Sequence, residues 1–214
     1  MKFKFLLVFF VLLLVPFYSC SSSQEKNSIS QIRYNVFYGE QNGVCIKAYA
    51  EEKEFPFVND GVAGDRENFV IVKVLNQTEK TTVTISYDKQ TYTGESSYNA
   101  VSNSMDFSFK VKSLPSKKIS VLATVLGEST QIDCVSMLKN DTISPIVAIE
   151  KVAKQQTDFI SSLYSNGDFK AEIYVRLIVE GDYNFYYVGY AQGANKITAF
   201  LLDGVTGEII AGKN

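Results

Sequence analysis

Between Met105 and Lys112 the chain reads Met-Asp-Phe-Ser-Phe-Lys-Val-Lys, placing Met105, Phe107, Phe109 and Val111 on one side and Asp106, Ser108, Lys110 and Lys112 on the other. Successive side chains of an extended backbone point to opposite faces, so this pattern buries one face and wets the other only in a β-strand. Residues 168–180 repeat it, with Phe169, Ala171, Ile173, Val175, Leu177 and Val179 against Lys170, Glu172, Tyr174, Arg176 and Glu180. A helix would scatter both sets around its circumference. The chain is therefore expected to be mainly β.

From Gln31 to about Lys139, short β-rich runs alternate with polar turns: 32–38, 44–50, 69–75, 81–87, 105–112, 119–126 and 131–138. About seven strands at this spacing, with no helical pattern between them, predict an antiparallel β-sandwich over residues 31–140. At the level of pattern this stretch resembles bacterial Ig-like domains. No Cys-Trp-Cys signature accompanies the resemblance, because the chain has no tryptophan.

At Ser144 the periodicity changes. Ser144 suits a helix N-cap and Pro145 the first helical position, and Ile146, Ile149, Val152, Ala153, Ile160 and Leu163 recur at helical spacing. Asn166-Gly167 is the expected stop. Three strands follow, at 168–180, 183–191 and 196–203, with Gly181-Asp182 as a hairpin turn. Residues 144–214 thus read as a small α+β domain, one helix on a three-stranded antiparallel meander. The helix opening Ile143-Ser-Pro-Ile-Val-Ala-Ile-Glu-Lys-Val-Ala-Lys is similar to the PepSY domain family. So is the ending Leu202-Asp-Gly-Val-Thr-Gly-Glu-Ile-Ile, with Asp203, Thr206, Gly207 and Glu208 in the family's turn. The resemblance implies a noncatalytic domain associated with inhibition or regulation of an exported protease.

The N-terminus supplies the address. Lys2 and Lys4 precede an unbroken run of Phe, Leu and Val from Phe5 to Val15, and Pro16-Phe-Tyr-Ser leads into Cys20 and a Ser-rich stretch. This is the order of a secretory signal, and the run is shorter than the ~20 apolar residues of a membrane span. Ser19-Cys20 resembles the cleavage site of a bacterial lipoprotein, although Phe17 and Tyr18 depart from the usual Leu and small residue. The resemblance implies a signal peptide over 1–19, an acylated Cys20, and a polar tether over 20–30. The protein is then expected at the bacterial cell envelope, its partner the membrane itself; an ordinary signal peptide would make it secreted.

Composition removes several functions. With no histidine, neither Ser-His-Asp nor Cys-His nucleophile activation nor a His-ligated zinc site can be built. A net charge of −2 with no basic stripe argues against nucleic acid. No metal and no cofactor is expected. Apart from Cys20, Cys45 and Cys134 lie in strand-like segments and suit either a disulfide or two buried thiols.

Three weak sites remain. The 59–68 loop gathers Asp60, Asp65 and Glu67 without the EF-hand spacing, and reads as an exposed loop. Asp203 and Glu208 read as turn residues, with a carboxylate-based hydrolase as the enzymatic alternative. Tyr183, Tyr186, Tyr187 and Tyr190 make one strand aromatic on both faces, a candidate partner surface. The reading these features support is a noncatalytic, lipid-anchored interaction module, with the protease regulator as alternative.

Overall fold

A computed structural model describes residues 21–58 and 60–213; the leader and Cys20 lie outside the described residues. Order begins at once, with helix α1 over Ser21–Asn27. Gln24 Oε1 accepts from the backbone N–H of Phe169 at 3.3 Å, and Tyr164 donates its hydroxyl to Glu25 at 3.1 Å. The tether expected over 20–30 is therefore folded from Ser21 onward, because Glu25 and Ile29 find buried positions in the body of the protein.

Strand β1 (Ile29–Gln41) organises the rest. Its first half pairs in parallel with β12 (Glu172–Glu180), setting Ile32 beside Val175 and Arg33 beside Arg176. Along most of its length it pairs antiparallel with β2 (Val44–Glu54), and near its end Phe37 and Tyr38 pair antiparallel with β9 (Glu128–Ser136). A register shift between Arg33 and Asn35 lies where β1 passes from one neighbour to the other, the local effect of a bulge being to bend and twist the strand.

Beyond β2 the order is β3 (Arg66–Leu75), β7 (Ser104–Lys110) and β6 (Ser97–Asn99). Beyond β9 it is β8 (Lys118–Val125), β4 (Thr81–Tyr87) and β5 (Gln90–Glu95). The strands wrap into a near-barrel within one large, mostly antiparallel sheet, where two facing sheets were expected. At the seam, β5 meets β7 by packing: a Cβ on Gly94 would fall 2.1 Å from the Phe107 ring. The barrel interior holds Phe37, Ile46, Val72, Val83, Ile85, Val121, Ile132 and Cys134.

The C-terminal part keeps the expected cap. Ser144 accepts from the N–H of Val147 at the start of α2 (Pro145–Gln155). The single helix expected here is two, since Gln156 leaves the helical region before α3 (Thr157–Ser162). Gln155 ties the end of α2 elsewhere, donating to Gly207 O at 2.9 Å and accepting from Ile209 N at 3.3 Å. Asn166 and Gly167, both at positive φ, turn a small hairpin between β10 (Tyr164–Ser165) and β11 (Asp168–Phe169). The meander has four strands: β12, β13 (Tyr183–Ala191), β14 (Ile197–Asp203) and an edge strand β15 (Ile209–Lys213). A second core forms between this sheet and the helices, where Ile29 and Ile32 of β1 meet Ile149, Val152, Ile173, Val175, Tyr186 and Leu202. Among the described residues no helix is long and apolar enough to cross a membrane.

Candidate binding face

The helices cover one face of β12–β15 and leave the other open. On β13 the alternation decides which tyrosines are available. Tyr186 and Tyr190, each 1% exposed, belong to the core, so these two members of the expected partner surface are structural. Tyr186 donates to the carbonyl of Ile143 at 2.9 Å, while the Tyr190 hydroxyl is buried with no hydrogen-bond partner among the described residues. Burial raises the pKa of both. Tyr183, 68% exposed, and half-buried Tyr187 point the other way.

Tyr187 forms one wall of a groove of about 470 Å³ with Ile197, Ala199, Leu201, Ala211 and Lys213. Small side chains on β14 and β15 leave this hollow, and the lining is mainly apolar. Beside it stand two arginines, Arg33 and Arg176. They are register neighbours on β1 and β12, and Arg176 is opposite Tyr187 on β13. Arg33 donates through Nε to Glu51 at 3.3 Å and lies 4.0 Å from the centre of the Tyr49 ring. Arg176 donates through Nε to Gln31 at 2.7 Å, with the Tyr174 and Tyr187 rings at 5.7 and 5.8 Å. Both acceptors are buried, Glu51 completely. Burial and the neighbouring Arg33 lower the pKa of Arg176, and Glu51 opposes that shift.

One end of this face is fixed by Glu172, also fully buried. Its Oε1 accepts from the N–H groups of Asp60 and Gly61 at 3.1 and 2.6 Å, and its Oε2 from Ser30 and Tyr174 at 2.9 and 2.5 Å. Four donors on one carboxylate fasten the β2–β3 loop across the sheet and place Phe57 over Tyr174, ring centres 6.3 Å apart. Burial, then the bond to Glu172, raises the Tyr174 pKa. The same loop presents Phe55, Phe57, Val58 and Val62 to solvent.

The remaining candidates separate. Asp60 serves the loop, its Oδ1 accepting from Val62 N at 2.9 Å, and among the described residues no cluster of three or more metal-ligating side chains occurs. Asp203 Oδ1 accepts from Val205 N, Thr206 N and the Thr206 hydroxyl at 2.9, 2.7 and 3.1 Å. These backbone bonds lower its pKa, as a turn-forming carboxylate requires.

The bridge considered for Cys45 and Cys134 is absent: both are free thiols. Alternation explains it. Cys134 lies inside the barrel, whereas Cys45 precedes the inward Ile46 and points out, within 3.0 Å of the Tyr38 hydroxyl and 3.3 Å of Glu40. Burial, with Asp133 nearby, pushes the Cys134 thiol up to about 12. In a chain carrying Cys20→Ala, a thiol reagent is expected to titrate one cysteine in the folded protein and two in denaturant. Two rapid equivalents without denaturant would contradict this placement.

Of Arg33, Glu51 and Glu172, Arg33 alone carried a sequence signal, a single charge inside the β-rich run 32–38, whereas Glu51 opens the charged run Glu51-Glu-Lys-Glu54. Compared with protein-family models, with characterised proteins and with solved structures, the chain matches none.

Proposed function

We propose that this protein is an exported, noncatalytic binding module held at the bacterial cell envelope by an acylated Cys20, engaging an exported polypeptide through the open face of β12–β15. One observation carries the reading: helices and core occupy one side of this sheet, while Tyr183, Tyr187 and the apolar groove occupy the other. Aromatic side chains beside an apolar hollow are characteristic of protein-recognition surfaces. Helix α1 adds a consequence: it runs from Ser21 to Asn27, so an acylated Cys20 would hold the body close against the bilayer.

Replacing Cys20 with Ala tests the anchor. The wild-type protein is expected in the membrane fraction and the variant in the soluble fraction, because anchoring by lipid depends on the buried acyl chains. Equal membrane retention of the two proteins would remove the anchor from the account.

A second reading, a regulator of an exported protease, has one observation in its favour. The turn after β14 is held by Asp203 and Thr206, with Gly207 at positive φ, and these are residues that carry the PepSY-like resemblance. Incubating the protein with envelope proteases and finding no change in their rates would remove this reading.

A further inference from the structure

Seven side chains share one row across neighbouring strands: Phe69, Glu51, Arg33, Arg176, Tyr187, Leu201 and Ala211. The row changes character in the middle. Tyr187, Leu201 and Ala211 border the groove, and Arg176 and Arg33 continue the row outside it, on the two strands beyond Tyr187. Like charges placed side by side on adjacent strands are unfavourable unless something answers them. Glu51 supplies one negative charge for two guanidinium groups. Glu172, on the same face of β12, has both oxygens engaged by its four donors.

The guanidinium groups are also held in place. Each uses its Nε on a buried acceptor, Glu51 or Gln31, and each lies against tyrosine rings. Within the described residues neither makes a hydrogen bond through its terminal nitrogens. Those nitrogens form the edge that binds a carboxylate with two parallel bonds. The burial and mutual repulsion that lower the Arg176 pKa favour an added anion.

We infer that Arg33 and Arg176 bind the carboxylate of an apolar polypeptide segment laid across β13, β14 and β15. This rests on the proposed role of the open face and names the chemistry of its partner. Three strand spacings separate Arg176 from Ala211, about 14 Å, the reach of roughly four extended residues. The groove is a shelf, not an enclosed cavity. An alkyl chain lying in it would leave one side in water, while a peptide can turn its backbone to solvent and its side chains to Leu201 and Tyr187. A peptide is therefore favoured over a fatty acid.

The test uses fluorescence polarisation with N-terminally labelled Leu-Ala-Val-Leu as the free acid, its C-terminal amide, and the amide of Leu-Ala-Val-Glu, with dodecanoate as competitor. The free acid is expected to bind at least tenfold more tightly than the plain amide, and added salt should weaken it. Arg176→Gln should lose about tenfold, the worth of a charge-assisted hydrogen bond, and Arg176→Lys should recover part of it. Ala211→Trp, which fills the groove from the exposed edge strand and leaves both arginines intact, should weaken all peptides together. Circular dichroism of each variant excludes misfolding as the cause.

Stronger binding of the Glu-ending amide than of the free acid supports the inference and assigns the carboxylate to a side chain. Equal binding of acid and plain amide, with no effect of Arg176→Gln, overturns it. If Ala211→Trp still abolishes that binding, the open-face reading survives the loss of the carboxylate. Binding of dodecanoate alone, or of no probe at all, overturns the inference.

Discussion

Glu172→Ala is expected to destabilise the protein by about 3–4 kcal/mol, the range for removing one member of a buried charged network. The substitution leaves the Ser30 and Tyr174 hydroxyls without their shared acceptor and frees the N–H groups of Asp60 and Gly61. Its effect should also be local. The loop carrying Phe55, Phe57, Val58 and Val62 loses its fastening, so limited proteolysis should cut between β2 and β3 before the variant unfolds globally. Glu172→Gln keeps the shape and one carbonyl acceptor, and should cost about half as much. A melting temperature for Glu172→Ala equal to that of the wild type would show that the four bonds contribute nothing net.

Phe37→Ala is expected to cost about 4 kcal/mol, as large aromatic truncations in a sealed core do. Phe37 is fully buried in the barrel, on the part of β1 that pairs with both β2 and β9. The informative readout is cooperativity. Because β1 also gives Ile29 and Ile32 to the second core and pairs with β12, loss of the barrel removes a strand from the neighbouring sheet. Urea unfolding followed by far-ultraviolet circular dichroism and by tyrosine signals should show one shared transition, shifted as a whole in the variant. Two transitions, with only the first shifted, would mean that the strand does not couple the two cores.

Much of this architecture was legible where periodicity is local. The alternation of Met105–Lys112 and of residues 168–180 marked strands, although the second is split into β11 (Asp168–Phe169) and β12 (Glu172–Glu180), and Ser144-Pro145 marked a capped helix start. What escaped the sequence depends on partners far along the chain. Nothing in residues 29–33 announces a parallel neighbour at 173–176, so the continuity of the sheet was hidden. Strand β5 escaped because its alternate residues, Gln90, Tyr92 and Gly94, are only half-buried. Its hairpin turns on Asp88 and Lys89 at positive φ with no glycine to mark it. Strand β15 is a short edge whose one inward contact is the half-buried Ile209.

The candidate site was legible by half. Tyr183 and Tyr187 stood out as part of an aromatic strand, but two-faced aromaticity cannot say which face is core, and Tyr186 and Tyr190 are the core pair. Arg33 and Arg176 acquire meaning only as register neighbours, a relation set by the same long-range pairing. The free thiols follow the same logic: two strand cysteines bridge only if their faces meet, and alternation sends Cys45 outward and Cys134 inward.

The central claim is that the open face of β12–β15 is the working surface. Site-specific photo-crosslinking in intact cells tests it most directly, with the reactive residue placed at Tyr187 on that face or at Val101, fully exposed on a barrel loop. The account predicts a discrete protein adduct from position 187 that is lost on adding Ala211→Trp, and none from position 101. Adducts of equal yield from both positions, or an adduct from position 101 alone, would contradict it.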